Sequence, residues 1–243
     1  MHAALAVLAL CALVLAAPAQ AQSPVLALDG PAKDEALRGH IDAYLEDGNA
    51  LGPRDFAWPG AVPMMPVTSA WPDFGYTSDR IWLRLRVRNA TDIAQWRLHF
   101  RENFKQEFTV FALREGGDVD TLYDIDRQST FGDRSVLYPE MVAPLRLAPD
   151  EAVTLLIRYR SEGASYLAFG IETLESFSEI ANLRIAKGYV FYGMMILLIT
   201  VALIALALFR RRVFAAYAAY SAAALLYIMH GDGVAFQMLW PNW

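Results

Sequence analysis

The chain has 243 residues and a formal net charge of −5, and this acidic balance gives no basis for nucleic-acid binding. Its hydrophobic content of 56% is raised by one apolar segment at the start and two near the end. The roughly 150 residues between them, 23–173, are enough to bury a hydrophobic core without help from a metal or a disulfide.

The first apolar segment has the features of a secretory signal peptide over residues 1–21. Its apolar run, Ala3 to Ala17, is short for a membrane span, and Ala19-Gln20-Ala21 fits a small-x-small cleavage site. The usual positive start is replaced by the amino terminus and His2, so an uncleaved anchor is the alternative. Because the only cysteine, Cys11, lies here, the mature chain would have no thiol for a disulfide, a metal or nucleophilic catalysis.

Strand patterns dominate residues 23–173 and predict an antiparallel β-sandwich or jelly roll. In the clearest case two sets of side chains alternate along one strand: Ile81, Leu83, Leu85 and Val87 on one face, and Trp82, Arg84, Arg86 and Arg88 on the other. Turn signals separate the predicted strands, which are 81–88, 96–101, 108–113, 121–125, 142–147, 153–160 and 166–172. Pro144 suits only an edge strand because it cannot donate a hydrogen bond.

Three segments do not follow the strand pattern. Residues 35–45 are the only early segment predicted as a short helix, and the proline-rich residues 51–77 are predicted to wrap irregularly over the sandwich. Residues 174–189 change to an apolar spacing of three and four, which predicts an amphipathic linker helix.

Residues 190–209 carry no charge. About 20 helical residues span roughly 30 Å, the thickness of the bilayer hydrocarbon core. Arg210, Arg211 and Arg212 follow directly, and a second apolar segment occupies residues 213–230. Since clustered arginines in short loops face the cytoplasm, the pattern predicts a transmembrane helical hairpin with the β-domain outside the cytoplasm.

A basic face is the one candidate ligand site. If the strands around Trp82 and Trp96 form a hairpin, one surface carries both of their basic sets, and like charges opposite each other need acidic neighbours, solvent or an anionic ligand. An indole beside guanidinium groups is a platform for a sugar ring or a carboxylated metabolite. The alternative is a solvated face with arginine stems lying over apolar surface. The predicted ligand-binding residues are Trp82, Arg84, Arg86, Arg97, His99 and Arg101.

No pattern indicates catalysis. The pairs Asp118/Asp120 and Asp124/Asp126 suit acid–base chemistry or calcium only if they converge, and their turn-rich surroundings favour solvated positions. The histidines show no metal-ligand spacing, and motifs for a nucleophilic serine, a phosphate loop or a dinucleotide are absent from the sequence. We therefore predict no enzyme activity, no catalytic residue, no metal and no cofactor.

Three groups of residues, in this order, carry a resemblance to a known family: 44–47 with 74–77 and 81–85, then 188–193, and then 233–237 with 239–241. Together they resemble the bacterial seven-transmembrane receptors with diverse intracellular signalling modules, from about Asp42 to the end. The resemblance implies a type-2 extracellular domain: a periplasmic jelly-roll sensor, likened to carbohydrate-binding modules, ahead of seven helices in the inner membrane. It also implies a cytoplasmic output module, such as a diguanylate cyclase or a histidine kinase.

The sequence stops at Trp243, just after the second predicted helix, so residues 231–243 are expected to begin an extracytoplasmic loop of a truncated product or fragment. The alanine-rich second helix suits a position covered by further helices; a true two-helix protein is the alternative. The predicted function is the ligand-sensing and membrane-proximal part of a signal-transduction receptor, binding a carbohydrate or a small organic anion. The alternative is a membrane-tethered carbohydrate-binding or envelope-assembly protein without signalling.

Overall fold

The structure, a computed structural model, describes residues 22–33, 37–58, 60–69, 71–103 and 106–242. The predicted signal peptide, residues 1–21, lies outside these ranges. The described residues form a β-domain (residues 22–173) followed by helices. Its strands are β1 (Leu26–Leu28), β2 (Ala32–Lys33), β3 (Ile41–Glu46), β4 (Met65–Pro66), β5 (Asp73–Tyr76), β6 (Arg80–Asn89), β7 (Gln95–Phe100), β8 (Glu107–Leu113), β9 (Val119–Asp126), β10 (Met141–Arg146), β11 (Ala152–Arg160), β12 (Ala164–Tyr166) and β13 (Phe169–Thr173).

Two sheets form most of the β-domain. The larger sheet has the antiparallel order β4-β3-β6-β11-β8-β9, and β1 runs parallel to the end of β6. The smaller sheet has the order β10-β7-β13-β2, and β12 pairs with β5 in a separate ribbon. The fold-class prediction, an antiparallel β-sandwich followed by apolar helices, is confirmed. Pro144 lies in β10, an edge strand, as predicted.

Alternation along the strands builds the core between the two sheets. The core side chains of β6 and β7 are fully buried in one cluster: Ile81, Leu83, Leu85, Val87, Trp96, Leu98 and Phe100. Burying a large apolar side chain stabilises a protein by about 1.5–3 kcal/mol relative to leaving it exposed. Because both strands place one set of side chains in the shared core, their other sets must point to the two opposite outer surfaces of the sandwich.

The helix expected over residues 35–45 is wrong for its described part. Ile41–Glu46 is strand β3, which pairs with β6 so that Ile41 lies opposite Leu85. Tertiary pairing overrides the local pattern here because Ile41 and Ala43 are buried in the core of the sandwich. The proline-rich residues 51–77 do cover the sandwich, but they also contain a 3₁₀ turn (Pro53–Phe56), β4 and β5.

Three helices follow the β-domain among the described residues: α1 (Leu174–Phe209), α2 (Arg212–Gly231) and the short α3 (Val234–Met238). The hydroxyl of Thr173 caps α1 by accepting a hydrogen bond from the backbone N–H of Ser176 at 3.2 Å. Helix α1 is continuous over 36 residues, or about 54 Å. Both α1 and α2 are long and apolar enough to cross a membrane. The length of α1 exceeds the thickness of a bilayer by several turns, and its first part packs against the β-domain, where Phe177 and Ala181 are buried.

Candidate functional site

The six predicted ligand-binding residues do not lie on one surface. Strand β6 pairs with β3 and β11 in the larger sheet, whereas β7 pairs with β10 and β13 in the smaller one. The hairpin that would have joined the two basic sets is therefore wrong. Trp82, Arg84 and Arg86 point outward from the larger sheet, onto a surface that we call the loop face. Arg97, His99 and Arg101 point outward from the smaller sheet, onto a surface that we call the helix face.

On the loop face Trp82 is completely buried, in a cluster that includes Phe56, Val62 and Met64 from the segment after β3. The ring of Phe56 lies 4.6 Å from the ring of Trp82, measured between centroids, and the indole N–H donates a hydrogen bond of 2.7 Å to Glu46. Burial alone would raise the pKa of Glu46, but the N–H groups of Leu51 and Trp82 hold it below its ordinary value. Trp82 is thus an anchor for the covering loop rather than an exposed platform.

The arginines of β6 become more exposed toward its end. Arg84 is buried and forms an ion pair with buried Asp42, with 2.8 Å between Nη2 and Oδ2. Arg86 is half-buried and donates to the backbone oxygen of Ser23, whereas Arg88 is exposed. Arg86 also borders a cavity of about 490 Å³, which we call the distal pocket, and shares it with Trp58.

Helix α1 covers the helix face and buries His99, which is 3% exposed. The Nε2–H of His99 donates to Glu140 at 2.5 Å, and Nδ1 lies 3.7 Å from Glu172. The ring of Phe177, from α1, lies 5.3 Å from the imidazole ring. Burial by itself lowers the pKa of His99, but hydrogen bonds and charge from the two carboxylates outweigh it and raise the pKa to about 9.

Glu140 links the β-domain to α1. One carboxylate oxygen accepts from His99 and the other accepts from Arg184, which belongs to α1. Phe177 and Ala181 of α1 are buried in the same cluster as Tyr138 and Val142 of the β-domain. The two other predicted residues of this face have other partners: half-buried Arg97 donates to the backbone oxygen of Trp96, and exposed Arg101 places its guanidinium 5.8 Å from the ring of Trp71.

A second attachment joins the β-domain to the end of α2. The side-chain amide of Asn103 donates to the backbone oxygen of Gly231 at 2.6 Å, and Gly233 follows with a φ of +75°. A Cβ atom on Gly233 would lie 2.6 Å from the backbone oxygen of Pro139. Buried Arg134 donates to that same oxygen at 2.8 Å, so the loop after α2 is docked closely on the β-domain.

Aromatic contacts extend this second attachment. The guanidinium of Arg134 lies 5.1 Å from the ring of Phe131 and 5.4 Å from the ring of Phe236, which belongs to α3. The backbone N–H of Phe131 donates to the oxygen of Pro241 at 2.8 Å. Tyr192 of α1 donates to Asp232 at 2.7 Å and so ties α1 to the end of α2.

A cavity of about 540 Å³ lies between the two attachments, and we call it the junction cavity. Its walls come from 101–103 and 138–140 of the β-domain, 184–192 of α1, and 231–234 after α2. No group of His, Cys, Asp or Glu side chains within the described ranges is arranged to hold a metal ion. The arrangement thus holds both α1 and the end of α2 on the β-domain.

Sequence reasoning selected His99 as a ligand-binding residue and indicated neither its burial nor its partners. Glu140 lies 41 residues away and Arg184 85 residues away in the chain, and no local pattern connects them. Asn103 contacts a backbone oxygen 128 residues later, through a bond that no spacing predicts. Gly233, in contrast, has a signal in the sequence, because a glycine that closely follows an apolar helix indicates a left-handed turn.

The model of the 7TMR-DISM extracellular 2 family matches residues 38–173, which include strands β3 to β13. This match covers more than half of the chain. No curated protein matches the chain significantly.

Several solved structures show weak similarity. A β-glucosidase from Kluyveromyces marxianus in complex with glucose is 14% identical, with a TM-score of 0.36, over 67% of this chain and 19% of the β-glucosidase. CpGH89CBM32-6 produced by Clostridium perfringens is 10% identical, with a TM-score of 0.27, over 58% of this chain and 99% of its own. A family two carbohydrate esterase from Cellvibrio japonicus is 12% identical, with a TM-score of 0.29, over 58% and 32%. Similarity at this level assigns no ligand or reaction.

Proposed function

Because the chain belongs to the 7TMR-DISM extracellular 2 family, we propose that it forms the periplasmic ligand-sensing and membrane-proximal part of a bacterial signal-transduction receptor. The family is one of receptor sensor domains rather than of enzymes. The α1–α2 hairpin would lie in the inner membrane, with Arg210 to Arg212 in the cytoplasm. The ligand would be a carbohydrate or a small organic anion, and the signal would pass to further helices and an output module such as a diguanylate cyclase or a histidine kinase.

The observation that carries this proposal is the double attachment of the β-domain to the membrane helices. Glu140 bridges His99 to Arg184 on α1, and Asn103 holds the end of α2. A tethered binding module needs only a linker, whereas a sensor needs its domain fixed to the elements that it moves. Helix α1 supplies that fixed element because it runs from Thr173 into the apolar segment without a break.

Ligand binding would act by favouring one pose of the β-domain over another. A ligand shifts such an equilibrium only by its difference in affinity for the two poses. Since both helix ends are docked on the β-domain, a change of pose would alter the relation between α1 and α2. Arg86 is the predicted ligand-binding residue that borders a cavity on the loop face, and its contact with ligand remains a prediction.

The proposed topology is tested with reporter fusions. Alkaline phosphatase is active only outside the cytoplasm, so a fusion after Thr173 should be active and a fusion after Arg211 inactive. A green fluorescent protein fusion should give the reverse pattern. An active phosphatase fusion after Arg211 would contradict the orientation and, with it, a sensor facing the periplasm.

Attachment to α1 is tested by replacing Phe177 with Ala in the whole chain in lipid nanodiscs. Phe177 is 6% exposed and packs on His99 and Tyr138, so its loss should raise hydrogen exchange in residues 174–185 at least tenfold. Ile180→Ala, on the exposed side of the same helix, is the matched control and should leave exchange unchanged. Equal exchange in both variants would mean that the packing of Phe177 does not fix the helix.

Signalling itself is tested at the gene. DNA beyond the codon for Trp243 should encode further apolar helices and a kinase or cyclase in the same reading frame. A locus with neither would favour a membrane-tethered carbohydrate-binding or envelope-assembly protein.

A further inference from the structure

The distal pocket and the junction cavity lie near opposite ends of strand β8. Strand β8 begins at Glu107, close in sequence to the residues that line the junction cavity, and ends at Leu113, which lines the distal pocket. Six residues of strand separate the two ends, a distance of about 20 Å. The distal pocket is therefore a separate site from the junction cavity.

An exposed tryptophan forms one side of this pocket. Trp58 is 76% exposed, although indole is a large and mostly apolar side chain. Its segment is anchored two residues earlier, because Phe56 is 4% exposed and its ring contacts buried Trp82. An exposed indole on an anchored segment is a preformed contact surface, since little order is lost when a ring stacks on it.

Polar groups surround the indole. Arg86 is half-buried and held by the backbone oxygen of Ser23, while Thr154 and Glu115 supply a hydroxyl and a carboxylate. On the remaining side, Gly116 and Gly117 have φ values of +102° and +88°, and a Cβ atom on either would meet nothing within 4 Å. The pocket thus combines an aromatic surface, mixed donors and acceptors, and open space.

The charges of the pocket favour a neutral ligand over an anion. The guanidinium of Arg114 donates to Asp120, to Glu151 and to the backbone oxygen of Arg146, so its donors are already engaged. Arg86 and Glu115, which both line the pocket, carry opposite charges. A volume of about 490 Å³ lies within the range of small-molecule sites and admits one or two sugar rings.

We infer that the distal pocket binds a neutral pyranose sugar, whose apolar face stacks on Trp58 and whose hydroxyl groups bind Arg86, Thr154 and Glu115. This inference rests on the proposed function, since it names the ligand class of the sensor, and it selects the carbohydrate over the organic anion. The six-membered ring matches an indole in size, and its equatorial hydroxyl groups lie at the edge, where the polar side chains stand. The axial C–H groups face the indole.

Calorimetric titration of the whole chain in nanodiscs tests the inference. The probes are glucose, galactose, N-acetylglucosamine and cellobiose, with glucuronate as the charged comparison. At least one neutral probe should bind, and Trp58→Ala should weaken it at least tenfold, with an unchanged circular dichroism spectrum. Tyr76→Ala is the matched control, because Tyr76 is 87% exposed and lies outside the pocket.

Three results would overturn the inference: no neutral probe binds, glucuronate alone binds, or Trp58→Ala binds as the wild type does. None of them bears on the reporter fusions or on the downstream gene. Conversely, a sugar could bind at Trp58 although the gene encodes no output module. That result would support the sugar-binding pocket and contradict the sensing role.

Discussion

The two outer faces of the sandwich begin from nearly the same sequence pattern and end in different arrangements. On both faces, basic side chains alternate with core residues along a strand. On the loop face, the charge of buried Arg84 is neutralised within the β-domain by an ion pair with Asp42. On the helix face, His99 pairs with Glu140, and the second carboxylate oxygen of Glu140 binds Arg184 of α1. A basic alternation therefore indicates an outward-facing strand surface, but the covering segment decides what that surface does.

Desolvation explains why both faces acquired acidic partners. A charge removed from water costs several kcal/mol unless an opposite charge and hydrogen bonds replace the lost hydration. The sequence pattern alone suggested a ligand as one source of that compensation, but on both faces the chain supplies most of it. At the end of β6, Arg86 is half-buried and borders the distal pocket, while Arg88 is exposed.

The largest expected effect is on the loop face. Arg84→Ala would leave Asp42 buried without its cation, and we expect a loss of about 3–5 kcal/mol in the free energy of unfolding. Thermal unfolding in nanodiscs, followed by near-ultraviolet circular dichroism, measures the change. Arg88→Ala removes an equal charge from an exposed site on the same strand and should change stability by less than about 0.5 kcal/mol. Similar losses in both variants would show that the Arg84–Asp42 pair contributes no more to stability than exposed Arg88 does.

The helix face should respond to pH instead. The pKa of His99 is raised from 6.5 to about 9 in the folded chain, so its stabilising contribution is complete below about pH 6.5 and is lost as the pH rises through about 9. A shift of this size corresponds to about 3 kcal/mol at most. The melting temperature should therefore fall between pH 6.5 and 9, and His99→Gln should flatten that fall. A wild-type melting temperature that stays constant between pH 6.5 and 9 would mean that a charged His99–Glu140 pair does not stabilise the folded chain.

Most strands from β6 onward were predictable from sequence, whereas β1 to β5 and the layout of the site were not. Alternation in residues 81–88 reports which side chains face the core, because burial imposes a period of two. It carries no information about which sheet the strand joins, so β6 and β7 were placed together although they lie in opposite sheets. Strand β3 was missed because Ile41–Glu46 is short and derives its order from pairing with β6. Trp58 has no periodic neighbours, and its exposure is visible only in the structure.

The smallest predicted effect separates backbone strain from close docking at the second attachment. Gly39 and Gly233 have nearly the same conformation, with φ of +78° and +75°. An alanine in this left-handed region costs about 1 kcal/mol through strain alone, and nothing lies within 4 Å of a Cβ on Gly39. On Gly233 the same atom would meet the backbone oxygen of Pro139 at 2.6 Å, and backbone cannot move aside cheaply.

We therefore expect Gly39→Ala to lower the free energy of unfolding by about 1 kcal/mol and Gly233→Ala to lower it by about 2 kcal/mol. The difference measures how tightly the loop after α2 is held on the β-domain. Hydrogen exchange gives an independent reading, since only Gly233→Ala should loosen residues 231–238. Equal losses in the two variants, with unchanged exchange in that loop, would mean that the β-domain is attached to α1 alone. The end of α2 would then be free to move without it, and a single helix would have to transmit the signal.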